Sequence, residues 1–308
     1  MAIINVVDIA HVRYSAPDLS TMNAFLHDFG FVTFEAGGKL YARGSDGRPF
    51  LHVTEPGPAE FLALGLRAGS VAELELLAAH EGVAVEDSQE PGGGKVVRLT
   101  DPDGYLIEIV AGQAVDEAAP LPVDPPRNTA AAKARLGAPI RLDPAPSHIR
   151  RIGHAVLKVR DFRASEAWYK DRFGFLTSDE VEAAPDVPLG AFMRCNRGEK
   201  PADHHTLFLA QLPGKLGILH AAFEVANLDD LMLGHQHLKA QQRQPAWGVG
   251  RHVMGSQVFD YWKDPFGNEL EHWTDGDLVN EDTPVGNAHI SNDELAQWAP
   301  PITPEFFA

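Results

Sequence analysis

The chain has 308 residues and a formal net charge of −17 at pH 7, from 43 acidic and 26 basic side chains. This length suffices for two domains, each with its own hydrophobic core, and 44% of hydrophobic residues is typical of a globular protein. A surface this acidic disfavours nucleic acid and anionic lipid as partners. No apolar run is long enough to span a membrane, and the N-terminus lacks the pattern of a secretion signal.

Cysteine usage indicates the compartment. Cys195 is the one cysteine, so no disulfide can form within the chain, and we expect a cytoplasmic protein. A free cysteine is usually a small buried side chain. We expect Cys195 to be buried and unreactive.

A linker divides the sequence. Residues 113–149 are rich in proline and alanine and follow neither a helical nor a strand period. Because proline lacks an N–H and fixes φ, this composition predicts an extended segment between residues 1–112 and residues 150–275. We expect the tail, residues 276–308, to cover a cleft or to contact a second subunit of a homo-oligomer.

The two halves repeat each other. Residues 9–36 align with residues 152–180: each segment starts as a strand, turns at an aspartate, continues as an amphipathic helix and reaches a Gly-Phe pair before the next strand. Asp18 and Asp161 stand where helix N-caps belong. Such self-similarity indicates a duplicated structural unit.

Each half divides again into two similar modules. Residues 60–112 and 217–274 both read as a strand, a helix and three strands, with a D-P-x-G turn before the last strand. The sequence therefore predicts an α+β fold of four βαβββ modules, two per domain. We expect the eight strands of each pair to curl around a central cleft, with the helices outside.

Three side chains in the C-terminal half form a candidate metal site. His154 (in I-G-H-A-V-L-K-V) and His220 (in I-L-H-A-A-F-E-V) lie on the first strands of modules three and four, and Glu271 (in N-E-L-E-H-W) lies on the last strand of module four. Side chains alternate along a strand, so all three can face one cleft. A lone histidine on a strand is more often a core residue, and only the joint placement favours a metal.

Two imidazoles and one carboxylate leave several coordination positions open. Iron(II) suits this set because it then has room for a chelating substrate and for dioxygen, and manganese(II) is the alternative. A structural zinc site is disfavoured, because such sites close four positions and prefer cysteine.

The sequence resembles the vicinal oxygen chelate superfamily, and within it the two-domain extradiol catechol dioxygenases, over nearly the whole chain. The resemblance is most specific at G-H-A-V-L (153–157), H-H-T-L-F (204–208), L-H-A-A-F-E-V (219–225) and the stretch 250–273, which contains G-R-H, a tyrosine, a P-x-G turn and E-x-E at the spacing of the family signature. It implies two barrel-like domains. It also implies a non-haem iron(II) enzyme that cleaves a catecholic substrate with O2 next to its vicinal hydroxyls, in the degradation of aromatic compounds.

The resemblance also implies roles for single residues. These are metal ligands at His154, His220 and Glu271, an acid/base at His205, a substrate-binding histidine at His252 and a hydrogen-bonding tyrosine at Tyr261. The chemistry agrees, because a catechol that binds through both oxygens must lose at least one proton and a neutral imidazole suits that task.

The neighbours of these residues receive structural roles. We place His204 and His205 on one strand, where only one can face inward. The motif favours His205, which leaves His204 at the rim or facing outward. Asp260 precedes Tyr261, should face the opposite side, and is expected to be structural.

The N-terminal half departs from the pattern. His11 matches the first ligand and Glu108 the last, but the segment 60–66 that should supply the middle ligand has no histidine. Two ligands bind a metal weakly. We therefore expect the cleft of this half, which we call the N-terminal cup, to hold no metal and to be structural. His52 is expected to serve packing or to lie at the surface.

Two other functions and the substrate ring stay open at this stage. The first is isomerase or lyase chemistry of the glyoxalase type, with zinc or nickel, in sites that usually have a second glutamate ligand where a histidine stands here. The second is a bleomycin-sequestering binding module. The ring is a catechol, an alkylcatechol, a biphenyl diol, a fused diol or a trihydroxylated ring. Residues that either line the pocket or, more commonly, pack in the core are Leu189, Phe192, Trp247, Val249 and Phe259.

Overall fold

Two large mixed sheets, one from each half of the chain, make up most of the fold. The computed structural model describes residues 2–184, 187–289, 295–302 and 306. None of the helices in these residues is long and apolar enough to cross a membrane.

The first sheet has eight strands in the order β2-β3-β4-β1-β5-β8-β7-β6. Its elements are β1 (Val6–Ala16), α1 (Leu19–Phe29), β2 (Val32–Ala36), β3 (Lys39–Arg43), β4 (His52–Pro56), β5 (Glu60–Ala68), α2 (Val71–Glu81), β6 (Glu86–Asp87), β7 (Lys95–Thr100) and β8 (Leu106–Ala111).

The second sheet has ten strands in the order β19-β10-β11-β13-β9-β14-β17-β16-β15-β20, and β12 pairs separately with β18. The module elements are β9 (Ile149–Lys158), α3 (Phe162–Phe173), β10 (Leu176–Ala184), β11 (Val187–Arg194), β12 (Ala202–Asp203), β13 (Leu207–Ala210), β14 (Gly217–Val225), α4 (Leu228–Ala240), β15 (Gln244–His252), β16 (Val258–Lys263) and β17 (Glu269–Thr274). The tail adds β18 (Leu278–Val279), β19 (Gly286–His289) and β20 (Ala296–Trp298).

Strand pairing confirms the predicted repeat. In the first half β1 runs parallel to β4 and antiparallel to β5, and β5 runs parallel to β8. In the second half β9, β13, β14 and β17 have the same relations. The α+β fold of four βαβββ modules is therefore confirmed, with eight module strands in each sheet.

The predicted caps and turns are also present. Asp18 accepts hydrogen bonds from the backbone N–H groups of Ser20 and Thr21, and Asp161 accepts one from Ala164. In the two D-P-x-G turns the amide of Gly104 donates to the Asp101 carbonyl, and that of Gly267 donates to the carbonyl of Asp264. Both glycines have positive φ, which a residue without a Cβ adopts at little cost.

Most of the buried hydrophobic residues of both halves form one continuous cluster. Where the halves meet, the Phe29 ring stacks on His272 with centroids 3.8 Å apart, and the Phe29 carbonyl accepts a hydrogen bond from His272 Nε2. The segment 113–149 has no helix, and before β9 its only pairing is an isolated bridge between Asn128 and Lys133. The division into domains at these boundaries stays a prediction.

Candidate active site

His154, His220 and Glu271 meet at the floor of a cavity in the second sheet. One donor atom of each lies within 4.8 Å of the other two. His154 Nε2 is 3.1 Å from Glu271 Oε2, and His220 Nε2 is 3.4 Å from the same oxygen. The antiparallel pairing of β9 with β14 and the parallel pairing of β14 with β17 produce this convergence.

Burial controls the charge of these groups. The side chain of Glu271 is fully buried, and that of His154 is 2% exposed. Burial lowers the pKa of His154 and of His220 to about 3, so both imidazoles are neutral at physiological pH and keep a lone pair for a cation. Burial also raises the pKa of Glu271, because a carboxylate loses its hydration there.

The donor set fits a divalent metal. Among the described residues the ionic partners of Glu271 are imidazoles, His154, His220 and His252, and neither lysine nor arginine. A buried carboxylate without a full counter-charge is costly, and a cation held between it and two neutral imidazoles would offset that cost. The two-histidine, one-carboxylate set is typical of non-haem iron(II) and also accommodates manganese(II).

His205 lies beside the ligand cluster, and its position corrects part of the prediction. The rings of His205 and His154 have centroids 4.1 Å apart. His204 and His205 are not on a strand: they lie in the bend between β12 and β13, where the amide of His204 bonds to the Asp277 carbonyl. Strand alternation therefore does not apply. His204 is buried at 6% exposure, so it does not lie at the rim, but unlike His205 it is not among the described residues that line the cavity.

No motif indicated Asp179, which orders the imidazoles of His204 and His205. His204 Nε2 lies 2.5 Å from Asp179 Oδ2, and His204 Nδ1 lies 3.1 Å from His205 Nδ1. A carboxylate only accepts hydrogen bonds, so His204 Nε2 carries the proton. When His204 is neutral, its Nδ1 accepts from His205 Nδ1–H, which leaves His205 Nε2 unprotonated as a base.

His252 and Tyr261 form a second polar pair at the cavity. His252 Nε2 lies 3.0 Å from the Tyr261 hydroxyl, and His252 Nδ1 donates to the carbonyl of Leu295 in the tail over 3.0 Å. Because Nδ1 donates to a carbonyl, the neutral ring accepts from the tyrosine at Nε2. Tyr261 stands opposite Glu271 on adjacent strands and its ring lies 5.1 Å from that of His220.

Apart from Glu269, the rest of the cavity, which has a volume of about 100 Å³, is apolar. Of the expected pocket residues, Leu189, Phe192 and Trp247 line it, whereas Val249 packs against the core and Phe259 lies behind His252. Sequence reasoning missed other lining residues, including two from the tail. They are Val156, Val181, Phe208, Ala210, Leu212, Leu219, Met254, Leu295 and Phe306.

Comparison with known proteins agrees with this geometry. The profile of the family described as "Glyoxalase/Bleomycin resistance protein/Dioxygenase superfamily" matches residues 151–272. That span contains all the polar side chains of the cavity. The C-terminal half of the chain is thus similar to this superfamily.

Similarity extends over almost the whole chain. Metapyrocatechase 2 of Cupriavidus necator is 28% identical over 306 residues, which cover 97% of this chain and 90% of that protein. An iron-dependent extradiol dioxygenase of Rhodococcus jostii (strain RHA1) is 26% identical over 297 residues, 89% of this chain and 91% of the relative. The crystal structure of a Mn(II)-bound glyoxalase from Novosphingobium aromaticivorans has a TM-score of 0.78 at 22% identity, covering 96% of this chain and 91% of that one. This structural likeness shows a shared fold.

The N-terminal cup has an arginine beside its candidate ligands. His11 Nε2 lies 2.8 Å from Glu108 Oε2, and Arg13 donates to the same oxygen from Nη2 over 2.9 Å. Arg13 pairs with Ala63 across β1 and β5, as Val156 pairs with His220 across β9 and β14. Ala63 thus stands in this cup where the middle ligand His220 stands in the other half. The Arg13 guanidinium supplies the positive charge beside Glu108.

The alternation of side chains along β1 could have indicated Arg13, because a residue two positions after His11 faces the same side of the strand. The structure also shows the surroundings of Asp260, His52 and Cys195. Asp260 accepts hydrogen bonds from His235 and from the Trp262 indole N–H. His52 is fully buried and stacks on Tyr14, and Cys195 is buried, which raises the pKa of its thiol.

Proposed function

We propose that this protein is an extradiol dioxygenase, which inserts both atoms of O2 into a catecholic ring and opens it beside the two vicinal hydroxyls. The observation that carries the proposal is the convergence of His154, His220 and Glu271 on the floor of an apolar cavity that also holds His205, His252 and Tyr261. The names of the relatives from Cupriavidus necator and Rhodococcus jostii support the same reaction class.

The proposed metal is iron(II), held by His154, His220 and Glu271, with manganese(II) as the alternative. An iron-dependent relative and a Mn(II)-bound structural neighbour support these two ions. When bound, the metal supplies the redox chemistry through which O2 reacts with the ring. The three residues leave one side of the site open toward the cavity.

The other polar residues receive separate tasks. His205 Nε2 takes a proton from a catechol hydroxyl and returns it later in the cycle, which fits a neutral buried imidazole whose pKa is lowered by burial. The Tyr261 hydroxyl and His252 hold a substrate oxygen by hydrogen bonds. The apolar walls orient the ring and keep bulk water out.

The reaction is tested by oxygen uptake and by the absorbance of the ring-opened product. Protein reconstituted anaerobically with iron(II) is mixed with a panel of catechols in oxygenated buffer. We expect one O2 consumed per ring cleaved. No uptake with any catechol by protein of full metal content, together with turnover of a methylglyoxal–thiol adduct, would replace this proposal with the glyoxalase type.

The cellular setting belongs to the same proposal. We place the protein in the cytoplasm, because its one cysteine forms no disulfide within the chain, and we expect a homo-oligomer. Light scattering of the purified protein measures the subunit number, and one chain per particle would overturn the expected homo-oligomer.

A further inference from the structure

A second pocket lies where the two halves of the chain meet the linker. It is open to solvent, has a volume of about 540 Å³ and shares none of its described lining residues with the active-site cavity. Four arginines and two carboxylates line it, which gives a local excess of positive charge on a chain whose formal net charge is −17. The charged lining residues are Arg48, Arg67, Arg150, Arg151, Asp46 and Glu224.

Two of these arginines have carboxylate partners. Each forms ion pairs with two acidic side chains, so both carboxylates of the lining already have a guanidinium beside them. The pairs are those of Arg48 with Asp8 and Asp46, and of Arg151 with Asp203 and Glu224. The positive charges of Arg67 and Arg150 are not balanced in this way.

Arg67 makes neither a hydrogen bond nor an ion pair within the described part of the chain. The side chain is half-buried, and its Nε is shielded from solvent without a partner. Burial and the neighbouring Arg48 guanidinium lower the pKa of Arg67 to about 10. A desolvated guanidinium without a partner is destabilising, and an anion beside it would offset that cost.

Arg150 is held in place by backbone carbonyls. Its Nη1 donates to the carbonyl of Ser45 over 2.9 Å and to that of Ala119 over 3.4 Å. These bonds connect β9 to the loop after β3 and to the linker. Its Nε and Nη2 make no hydrogen bond to any residue that the structure describes. One side of the guanidinium fork is therefore available to an acceptor with two oxygens.

The wall beside the arginines is apolar. Val115 and Leu121 of the linker and Val225 at the end of β14 line the pocket, and Val115 is 55% exposed. Arginine binds a carboxylate through two parallel N–H···O bonds, and an apolar group gains from leaving water against such a wall. The combination fits an organic anion better than an inorganic one.

We propose that this pocket binds a small organic carboxylate, whose charged end is held by Arg67 and Arg150 and whose apolar remainder packs on Val115, Leu121 and Val225. Because Arg67 lies on β5 and Arg150 on β9, the ligand connects the first half of the chain to the second. The binding does not depend on the reaction proposed for the metal site, since the pocket and the cavity are separate.

Calorimetry with the iron-loaded protein at constant ionic strength tests the binding. The probe is pentanoate, and pentanamide is its uncharged counterpart of the same shape. We expect the Kd of pentanoate to be at least about 10-fold lower than that of pentanamide, because hydrogen bonds between charged groups are the stronger ones. Equal Kd values for the two compounds, or binding of neither, would overturn the proposal.

Arg67→Met isolates the contribution of the guanidinium. The variant keeps an unbranched side chain and removes the charge, so its Kd for pentanoate should rise by at least about 10-fold. Arg141→Gln is the matched control: this linker arginine is exposed, its guanidinium bonds to the carbonyl of Ile140, and it does not line the pocket. The control should keep the wild-type Kd, and an equal loss in both variants would contradict the site.

Urea denaturation separates a ligand-binding role of Arg67 from a structural one. Without pentanoate, Arg67→Met should unfold at the same urea concentration as the wild type or at a higher one, because it removes a desolvated charge that has no partner. Saturating pentanoate should raise the unfolding midpoint of the wild type and leave that of the variant unchanged. Equal stabilisation of both proteins would overturn the role of Arg67.

A carboxylate bound at the metal site is the competing explanation, because carboxylates are also metal ligands. His154→Ala removes one of the proposed ligands of the metal and leaves the second pocket intact, so it should bind pentanoate with the wild-type Kd. Loss of pentanoate binding in this variant, together with a wild-type Kd in Arg67→Met, would place the carboxylate on the metal and overturn the second site.

Discussion

Arg13 Nη2 lies 2.9 Å from Glu108 Oε2 in the N-terminal cup, where the equivalent region of the C-terminal cup has a second histidine beside its glutamate. Glu108 is 3% exposed, and its partners include both Arg13 and His11. The same sheet topology thus balances a buried glutamate in two ways: with a guanidinium in one half and, as we propose, with a metal ion in the other.

One metal per chain is the first prediction. His154→Ala should lose the metal, with an affinity at least about 100-fold weaker, because two donors then remain. His11→Ala changes the equivalent residue of the other half and should keep full metal content, which makes it the matched control. Elemental analysis after reconstitution gives the stoichiometry. Two metals per wild-type chain, or equal losses in both variants, would contradict the assignment.

The second prediction concerns Glu108. Glu108→Gln should leave kcat within a few-fold, because we assign no chemistry to this cup. It should lower the free energy of unfolding by about 1–3 kcal/mol, because Arg13 loses its most buried carboxylate partner but keeps Glu55 and Glu90. Urea denaturation and kcat are measured on one preparation. A loss of about 10³ in kcat in a folded variant would show that this cup takes part in catalysis.

The pH dependence of that stability is the third prediction. Burial opposes ionisation of Glu108, but His11 and Arg13 outweigh it and hold its pKa well below the ordinary value of 4.5. The ionised carboxylate therefore stabilises the fold at neutral pH, and this contribution is lost as the pH falls below about 4.5. The difference in free energy of unfolding between wild type and Glu108→Gln should narrow over that range. A difference that stays constant down to pH values near 3, measured by urea denaturation, would refute this linkage.

The repeat made much of the fold predictable. The ligand candidates His154, His220 and Glu271 stand at related points of two modules, so strand periodicity alone places them in one cleft. The expected alternation of side chains along a strand does not hold at His204, because the chain bends between β12 and β13, where the imidazoles of His204 and His205 are both buried. Asp179 had no motif, since its role depends on a contact between strands. The cavity residues from the tail could not be predicted from the sequence either, because their position depends on tertiary packing.

Tyr261→Phe is the fourth prediction. The variant keeps the ring that packs near His220, Trp247 and Phe306 and removes the hydroxyl that bonds to His252. We expect full metal content and a kcat/KM about 10-fold lower, the loss of one hydrogen bond to substrate. Measurements of metal content and steady-state kinetics test this prediction. An unchanged kcat/KM would show that this hydroxyl does not contact the substrate in the transition state.

The fifth prediction concerns the acid/base role of His205. His205→Phe has a ring of similar size that cannot titrate, so the variant should keep its metal and still bind catechol. A positioned acid/base typically contributes about 10²–10⁴-fold, so kcat should fall by about 10²-fold or more. Metal content and turnover are measured in the same preparation. Metal lost in proportion to activity would make His205 a ligand or a scaffold residue, and retained turnover would require another proton route.

Asp179→Asn tests whether His204 positions His205 in that role. The carboxylate fixes the proton of His204 at Nε2, and an amide that presents its NH2 group instead reverses the hydrogen bond, so that His205 Nε2 loses its form as a base. We therefore expect kcat to fall by about 10-fold while KM and metal content stay near wild type, since the side-chain hydrogen bond of Asp179 goes to His204 and not to a candidate ligand. A purely structural role for Asp179 would instead lower the unfolding free energy and leave kcat unchanged in the folded fraction. In the background of His205→Phe, Asp179→Asn should have no further effect on kcat, because its only route to the chemistry is through the ring already removed; additive losses would place Asp179 outside this chain of hydrogen bonds.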